Sequence, residues 1–138
     1  MKAEFEITED ILIVKLSGEV DHHGTAGIRD EIDSTYHVFG SRHMILDFSA
    51  VSFIDSSGIG MIMGRYNKVR RSGGRMQLCG CSEYMRSILF MSGIFTIVRE
   101  CSSVQEGIRL LQNDRETADA YMKKEEESEN SGGMENEK

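Results

Sequence analysis

Two adjacent serines, Ser56 and Ser57, lie where a strand-like segment gives way to a helix-like one. The segment 53–60 reads FIDSSGIG and follows the apolar run 43–48, which is typical of a buried strand. A helix N-terminus offers unpaired backbone N–H groups and the positive end of the helix dipole, and both favour added negative charge. We therefore interpret these hydroxyls as placed to carry a phosphate and to present it to a partner protein.

Two other roles for these serines stay open. Asp55, Ser56 and Ser57 are also ordinary capping residues at the start of a helix. A catalytic serine fits less well, because the segment lacks the Gly-x-Ser-x-Gly motif of hydrolases and the chain has no Gly-x-x-x-x-Gly-Lys-Ser/Thr phosphate loop. The sequence thus favours a regulatory binding protein over an enzyme.

The helix that follows the serines carries two stripes of residues. The face predicted to pack on the core recurs at intervals of three and four residues: Ile59, Ile62, Tyr66 and Val69. The second stripe and its neighbours are Ser56, Gly60 and Gly64 beside Met61, Arg65 and Lys68. Each glycine costs a helix about 1 kcal/mol relative to alanine. Either the helix backbone packs closely on its own sheet, or a partner approaches it beside the serines.

The histidines and cysteines do not follow a metal-binding pattern. His22 and His23 are adjacent, so their side chains point in different directions and make a poor chelate. Asp21 or Thr25 is expected to cap the helix that begins after them. The three cysteines are interpreted as small buried hydrophobic residues: Cys79, Cys81 and Cys101. We predict no metal and no other cofactor.

The composition indicates one globular domain with an acidic extension. The chain has 138 residues, of which 39% are hydrophobic and 28% charged. Its net charge is −7 and it has no basic stripe, so nucleic-acid binding is not expected. From Glu116 onwards there are eight acidic and three basic residues and no apolar periodicity. We predict a folded domain over residues 1–112 and a disordered acidic tail over residues 113–138.

Neither a membrane span nor an export signal is recognisable in the sequence. No apolar run approaches the length of about 18 residues that a bilayer requires. The start of the chain, MKAE, does not resemble a signal peptide. The sequence therefore predicts a cytoplasmic protein without membrane insertion.

Hydrophobic periodicity predicts strands and helices that alternate along the domain. The predicted strands are 4–7, 11–16, 43–48, 75–79 and 96–99, with Gly18 marking the end of the second. The predicted helices run from about 25 to 40, 57 to 72, 82 to 91 and 103 to 111. A strand pair followed by such alternation predicts an α/β fold, with helices packed against a largely parallel or mixed sheet.

Four short motifs resemble a known family when they are taken in order. They are SGEVDHH at 17–23, FIDSSGIG at 53–60, GRY at 64–66 and MSGIF at 91–95. Together they resemble the STAS-domain anti-sigma factor antagonists, in particular the anti-sigma F branch, over residues 1 to about 112. The resemblance implies a STAS-type α/β fold with a four- to five-stranded mixed sheet flanked by helices.

The resemblance also implies a modification site and partners. The family carries its phosphate on the first serine after the aspartate, which here is Ser56. Its unphosphorylated form binds the anti-sigma F serine kinase (stage II sporulation protein AB) and so releases sigma factor F, and a phosphatase (stage II sporulation protein E) regenerates it. The residues expected to bind the partner are Asp21, Ser56, Ser57, Gly58, Ile59, Gly60 and Arg65.

Two alternative functions accompany this interpretation. The first is an antagonist of a different anti-sigma factor or of a stress-signalling kinase, with the same domain and another partner. The second, from a different class, is a serine hydrolase built on the same sheet.

Overall fold

The computed structural model describes residues 1–113. The strands are β1 (Lys2–Thr8), β2 (Ile11–Val20), β3 (His43–Ile54), β4 (Met76–Cys79) and β5 (Arg99–Cys101). The helices are α1 (Thr25–Val38), α2 (Ser56–Arg71), α3 (Glu83–Met91) and a last helix over residues 104–113, with a 3₁₀ turn at Ile94–Thr96. The chain divides into two units, Met1–Gly107, which contains the sheet, and Ile108–Lys138, of which residues 108–113 are described and helical.

The five strands lie side by side in chain order. Strand β1 runs antiparallel to β2, and the remaining neighbours are parallel. Parallel neighbours require a crossover connection, and α1, α2 and α3 provide the three crossovers in turn. The predicted α/β fold, a mixed sheet flanked by helices, is confirmed, and the sheet has five strands.

The main core lies between one face of the sheet and three helices. Alternate strand residues face this core, namely Leu12, Val14, Leu16, Met44, Leu46, Phe48, Met76 and Leu78. The helices contribute Ile28, Ile32, Ile62, Val69, Met85 and Leu89. Full burial of such a side chain contributes about 1.5–3 kcal/mol. This burial fixes each helix on the sheet and therefore fixes where α2 begins.

Two strands extend beyond their predicted ends. Strand β2 continues through Gly18 to Val20, because Gly18 adopts a φ of +90° at a shift in the register with β3. Strand β3 continues from Phe48 to Ile54 and ends one residue before α2. The prediction that Gly18 ends the second strand was wrong. The longer strands leave a single residue, Asp55, between β3 and α2.

The predicted strand 96–99 is also wrong. Gly93 ends α3 with a φ of +83°, and the amides of Thr96 and Ile97 bond back to the carbonyls of Gly93 and Ile94. These local hydrogen bonds form a turn and delay the strand, which runs over Arg99–Cys101. The β-branched composition of the segment resembles a strand, but the turn hydrogen bonds determine its conformation.

Two other predictions concern the limits of the domain. Within residues 1–113, no helix is both long and apolar enough to cross a membrane. The predicted acidic tail over 113–138 lies outside the described residues from residue 114 onwards. The boundary after residue 112 therefore stays a prediction.

Candidate partner-binding site

The sheet brings the start of helix α2 next to the loop that follows β2. Strands β2 and β3 are parallel, and Val20 pairs with Ile54 at their carboxyl ends. The amide of Asp55 donates to the carbonyl of Val20 at 3.3 Å. The loop containing Asp21 therefore lies beside the first turn of α2. This is the edge of a parallel sheet at which α/β folds bind their ligands.

Asp55 is the N-cap of α2. Its Oδ1 accepts hydrogen bonds from the amide of Ser57 at 2.9 Å and from the amide of Gly58 at 3.2 Å. Partial burial acts to raise the pKa of Asp55, but these amides and His22 outweigh it and hold the pKa below its usual value. Asp55 is therefore a carboxylate at neutral pH and supplies a fixed negative charge at the start of the helix.

Ser56 is the first residue of α2, and its side chain is exposed. Its hydroxyl forms no hydrogen bond with any residue in the described part of the chain. Ser57 is half-buried, and its amide rather than its hydroxyl contacts Asp55. The cap thus comes from Asp55 and not from either serine. Capping does not explain Ser56, whose hydroxyl is left available to a partner.

Asp21 organises the loop between β2 and α1. Its Oδ1 accepts hydrogen bonds from the amides of His23 and Gly24 at 3.1 and 3.3 Å. The N-cap of α1 is Gly24, which makes no side-chain cap hydrogen bond. The prediction that Asp21 or Thr25 caps this helix was therefore wrong. Asp21 acts one turn earlier, where its carboxylate holds the loop in an Asx-type turn.

His22 connects this loop to the start of α2. Its Nδ1 lies 3.8 Å from Asp55 Oδ2, and its imidazole is 68% exposed. The rings of His22 and His23 are 4.0 Å apart between centroids. Over residues 1–113, no group of three or more His, Cys, Asp or Glu side chains is arranged to hold a metal ion.

The three glycines of α2 have different surroundings. A Cβ at Gly58 would lie 2.5 Å from Ile54 Cγ1 and 2.8 Å from the carbonyl oxygen of Val20. Gly58 is therefore required for close packing of the helix on the sheet. A Cβ at Gly60 or at Gly64 would meet no described atom within 4 Å. Internal packing thus explains neither Gly60 nor Gly64.

The buried face of α2 is rotated from the predicted one. Its buried residues are Gly58, Met61, Ile62, Arg65 and Val69. Ile59 and Tyr66, which were predicted to face the core, are half-buried at its margin. The physical reason is that Gly58 has no side chain, so the first turn of the helix lies directly on Ile54 and Val20.

Arg65 belongs to α2, and its side chain reaches Asp33 of α1. Its side chain is 3% exposed, and its Nε is 2.7 Å from Asp33 Oδ1. The pair is held by charge, because neither Nε nor Nη1 has a well-aligned hydrogen-bond acceptor among the described residues. Burial lowers the pKa of Arg65, and the charge of Asp33 opposes this effect. Lys68 Nζ lies 3.3 Å from Asp33 Oδ2.

The three cysteines are buried, as predicted, and their thiols are free: Cys79, Cys81 and Cys101. Burial raises the pKa of Cys79 and of Cys81 to about 12, so both are thiols at neutral pH. The thiol of Cys101 donates to Gln77 Oε1 at 2.8 Å. These residues contribute to packing.

The predicted site residues therefore fall into two groups. Ser56, Ser57, Gly60 and the Asp21 loop belong to one edge of the molecule, with Ile59 at its margin. Gly58 and Arg65 are buried on the inner face of helix α2. Whether any of them contacts a partner stays a prediction.

Two contacts of the site were not predicted from the sequence: the ion pair of Asp33 with Arg65, and the approach of His22 to Asp55. No pattern in the sequence reports a pairing between two helices, because that pairing depends on how they cross. The distinct role of Gly58 did have a signal. Gly58 is the third residue after the cap Asp55, where the first helical turn faces the strand that it has just left.

Comparison with known proteins identifies the family of this fold. The STAS domain family model matches residues 2–107. Over 98 residues the chain is 37% identical to an anti-sigma F factor antagonist of Paenibacillus polymyxa, covering 71% of this chain and 84% of that protein.

Solved structures agree with this match. The chain is similar to the anti-sigma factor antagonist SpoIIAA in its unphosphorylated form, with a TM-score of 0.65 and 28% identity, over 80% of this chain and 98% of that one. It is equally similar to the Bacillus cell fate determinant SpoIIAA in the phosphorylated form. There the TM-score is 0.64 and the identity 28%, over 79% of this chain and 99% of that one.

Proposed function

Because the chain belongs to the family of STAS-domain anti-sigma factor antagonists, we propose that it is a protein-binding regulator switched by phosphorylation. Its unphosphorylated form binds the anti-sigma F serine kinase (stage II sporulation protein AB) and releases the sporulation sigma factor F. Phosphorylation on Ser56 abolishes this binding, and the phosphatase (stage II sporulation protein E) restores it. The protein acts in the cytoplasm and is not itself an enzyme.

The observation that carries this proposal is the state of the Ser56 hydroxyl. It is exposed at the first position of α2 and has no hydrogen bond within the described chain. Asp55 already satisfies the amides of Ser57 and Gly58, so Ser56 is not needed to cap the helix. A hydroxyl without an internal role at a helix start is well suited to modification by a kinase.

A glycine ridge, Gly60 and Gly64, supports a partner surface beside Ser56. Ser56, Gly60 and Gly64 follow one another at intervals of four residues, which places them along one face of the helix. The two glycines together cost the helix about 2 kcal/mol, a large share of the 5–15 kcal/mol that stabilises a typical domain. Nothing in the described chain packs where their side chains would be. Close approach of a partner backbone offsets that cost.

Phosphorylation is expected to leave the isolated domain folded. A phosphate on Ser56 adds about −1.5 to −2 charges at pH 7. A helix N-terminus favours an anion by about 0.3–1 kcal/mol, and the carboxylate of Asp55 acts against this gain. The side chain is exposed, so water continues to solvate the added charge.

The switch therefore acts in the complex. A partner surface shaped for a bare hydroxyl and the glycine ridge would have to bury a dianion next to Asp55. Removing water from such an ion without a pairing cation costs several kcal/mol, and each 1.4 kcal/mol is tenfold in affinity. A loss of affinity of about a hundredfold or more follows. The similarity to SpoIIAA structures in both phosphorylation states supports a switch that leaves the fold intact.

The placement of the remaining residues supports further contacts with the partner. Asp21, on the loop beside the first turn of α2, shares this interface with Ser57 and Ile59 of that turn. Gly58 lets the helix present Ser56. Arg65 is buried, so it acts on the partner only through its support of α2 against α1. Assignment of the kinase to the anti-sigma F type follows from the name of the Paenibacillus polymyxa relative.

Phosphorylation assays on matched serine variants test the proposal. The wild-type chain, Ser56→Ala and Ser57→Ala are each incubated with the kinase and ATP and analysed by mass spectrometry. Wild type and Ser57→Ala are expected to gain one phosphate, and Ser56→Ala none. Calorimetry is expected to show that the phosphorylated chain binds the kinase about a hundredfold or more weakly.

Three results would contradict it. Loss of phosphorylation in Ser57→Ala, with Ser56→Ala still modified, would move the site to Ser57. Unchanged affinity after modification would remove the switch. Unfolding of Ser56→Asp, seen by far-UV circular dichroism, would show that added charge acts on the fold and not on the interface.

A further inference from the structure

The imidazole of His22 lies at the edge of the proposed partner surface, and the unmodified fold gives it no role. Asp21 holds the loop that carries it, by accepting the amides of His23 and Gly24. Asp55 caps α2 through backbone amides and does not require the imidazole. The ring itself is largely exposed and forms no hydrogen bond with any residue between 1 and 113. Stability of the domain therefore does not account for this side chain.

The ring is nevertheless held in a defined place. Its Nδ1 lies 3.8 Å from Oδ2 of Asp55, which is longer than a hydrogen bond but close enough for charges to act. The amide of His22 acts on the same carboxylate, and the ring of His23 is 4.0 Å away between centroids. Because Ser56 directly follows Asp55, the imidazole lies beside the residue that precedes the proposed phosphorylation site.

Phosphorylation of Ser56 would concentrate negative charge at this point. The phosphate adds about −1.5 to −2 charges at pH 7, and it would lie next to the ionised Asp55. Other charged groups lie at a recess of the same loop, namely Glu19, Asp21, His23 and the α-amino group of Met1. His22 is the side chain that faces Asp55 directly, and histidine is the residue type that takes up a proton near neutral pH. A counter-charge for the phosphate is therefore in place.

We propose that His22 binds the phosphate on Ser56, as an imidazolium ion that pairs with the phosphate dianion at the start of α2. Opposite charges within about 4–6 Å favour the charged forms of both groups. The loop needs no rearrangement, because the exposed ring can turn about its own side-chain bonds. His22 is thereby a positioning residue that holds the phosphate against the domain.

This inference rests on the proposed phosphorylation of Ser56 and refines it. One imidazolium carries a single positive charge, whereas the phosphate and Asp55 together carry about −2.5 to −3 at pH 7. The start of α2 therefore stays negative, and the proposed exclusion from the kinase is retained. His22 adds a fixed direction of the phosphate and a dependence of its charge on pH.

Phosphorus-31 NMR of the full chain tests the proposal without the kinase, since phosphoserine is incorporated at position 56 during protein synthesis. Titration over about pH 5 to 8 spans the second pKa of phosphoserine, which is ordinarily about 6. An imidazolium favours the dianion, so the dianion is expected to bind a proton about three- to tenfold more weakly in wild type than in His22→Gln. The matched control His23→Gln, one residue on and also exposed, is expected to titrate like wild type. His22→Lys, which retains a cation, is expected to titrate close to wild type too.

A second measurement needs no variant. Phosphorylation is expected to shift the ring proton resonances of His22 at about pH 6.5 more than those of His37. His37 is exposed in the last turn of α1, about 18 Å along that helix from its start. It therefore serves as a distant histidine reference in the same molecule.

Each of three results would overturn the inference. An equal phosphate titration in wild type and His22→Gln would show that the ring does not pair with the phosphate. An equal change in His23→Gln would show a general charge of the loop, and equal shifts at His22 and His37 would deny a local contact. Circular dichroism melts check that each variant is folded, and the comparison with His37 decides if one is not. Because the phosphoserine is introduced directly, these results stand whether or not the kinase modifies Ser56, so the two proposals fail separately.

Discussion

Gly58 and Gly60 are two residues apart in helix α2, and opposite physical reasons account for them. A side chain at Gly58 would collide with Ile54 and with the backbone of Val20. A side chain at Gly60 would meet no atom of residues 1–113 within 4 Å. The inner face of α2 thus consists of residues that the fold requires, including Gly58 and the buried Arg65. The outer face consists of residues, Ser56 among them, that the fold does not require.

This difference separates stability from recognition within a single helix. On the inner face, any change alters packing or leaves a buried charge, so it is expected to lower the free energy of unfolding. On the outer face, a change is expected to leave that free energy unchanged or to raise it, and to act on partner binding. Variants on each face test whether the two faces are as independent as the structure indicates.

The largest expected effect concerns the inner face. Asp33→Ala leaves the guanidinium of Arg65 buried without its counter-charge. Such a loss costs about 3–5 kcal/mol. Chemical denaturation monitored by circular dichroism measures it. Lys68→Ala, which removes the exposed cation beside the same carboxylate, is the control and is expected to cost less than about 1 kcal/mol.

A double variant sharpens this prediction. Asp33→Leu combined with Arg65→Met replaces the pair by apolar side chains, and it is expected to be more stable than Asp33→Ala alone. If the double variant also binds the kinase normally, Arg65 has no direct part in the interface. A double variant less stable than Asp33→Ala would show that the unpaired guanidinium of Arg65 is not what destabilises that single variant. A folded double variant with weakened kinase binding would instead place Arg65 among the partner-binding residues.

Alanine at Gly58 and alanine at Gly60 are expected to change the stability of the domain in opposite directions. Gly58→Ala crowds the strand below it and is expected to destabilise the domain by about 1–3 kcal/mol. Gly60→Ala removes a flexible residue from an open helix position and is expected to stabilise it by about 1 kcal/mol. Thermal and urea unfolding of the two variants provide the measurement. Equal destabilisation by both would remove the distinction between the faces.

A larger side chain at Gly60 tests the role of the outer face in partner binding. Gly60→Leu places a bulky side chain on the outer face, and calorimetry is expected to show about a hundredfold weaker binding to the kinase. The isolated variant is expected to unfold no earlier than wild type, because no described atom contacts the new side chain. Unchanged affinity would mean that the partner does not approach the glycine ridge.

The sequence predicted the order of elements because hydrophobic spacing reports which residues face a core. The spacing of three and four residues located α2: Ile59, Ile62, Tyr66 and Val69. The polar residues after Ile54 located its start. It did not predict the rotation of α2, because that depends on the close approach of Gly58 to Ile54. Nor did it predict the ion pair between Arg65 and Asp33, since residues 32 positions apart meet only through the packing of two helices.

The sequence predicted that Ser56 and Ser57 lie at the start of a helix, but not which residue caps that helix. Asp55, Ser56 and Ser57 are all residues that cap helices, so the sequence alone left the role of each open. In the structure Asp55 performs the cap, and the Ser56 hydroxyl bonds to no residue in the described part of the chain. Only the directions of the amides of Ser57 and Gly58 decide between them, and these directions are set by the end of β3.

The smallest expected effect is a change of the domain's unfolding free energy with pH, which is caused by Asp55 at the start of α2. Amide hydrogen bonds hold the pKa of Asp55 below its usual value, so folding favours the charged carboxylate. That stabilisation is fully present above the ordinary aspartate pKa of about 4, and it is lost as the pH falls through the lower pKa of the folded state. Asp55→Asn is the matched control, because asparagine also caps a helix but does not titrate.

The difference in unfolding free energy between wild type and Asp55→Asn is therefore expected to be constant near neutral pH and to shrink below about pH 4. Urea unfolding at a series of pH values measures it. A difference that grew towards low pH would mean that the pKa of Asp55 is raised and not lowered. The fixed negative charge next to Ser56, on which exclusion of the phosphorylated chain from its partner depends, would then be in doubt.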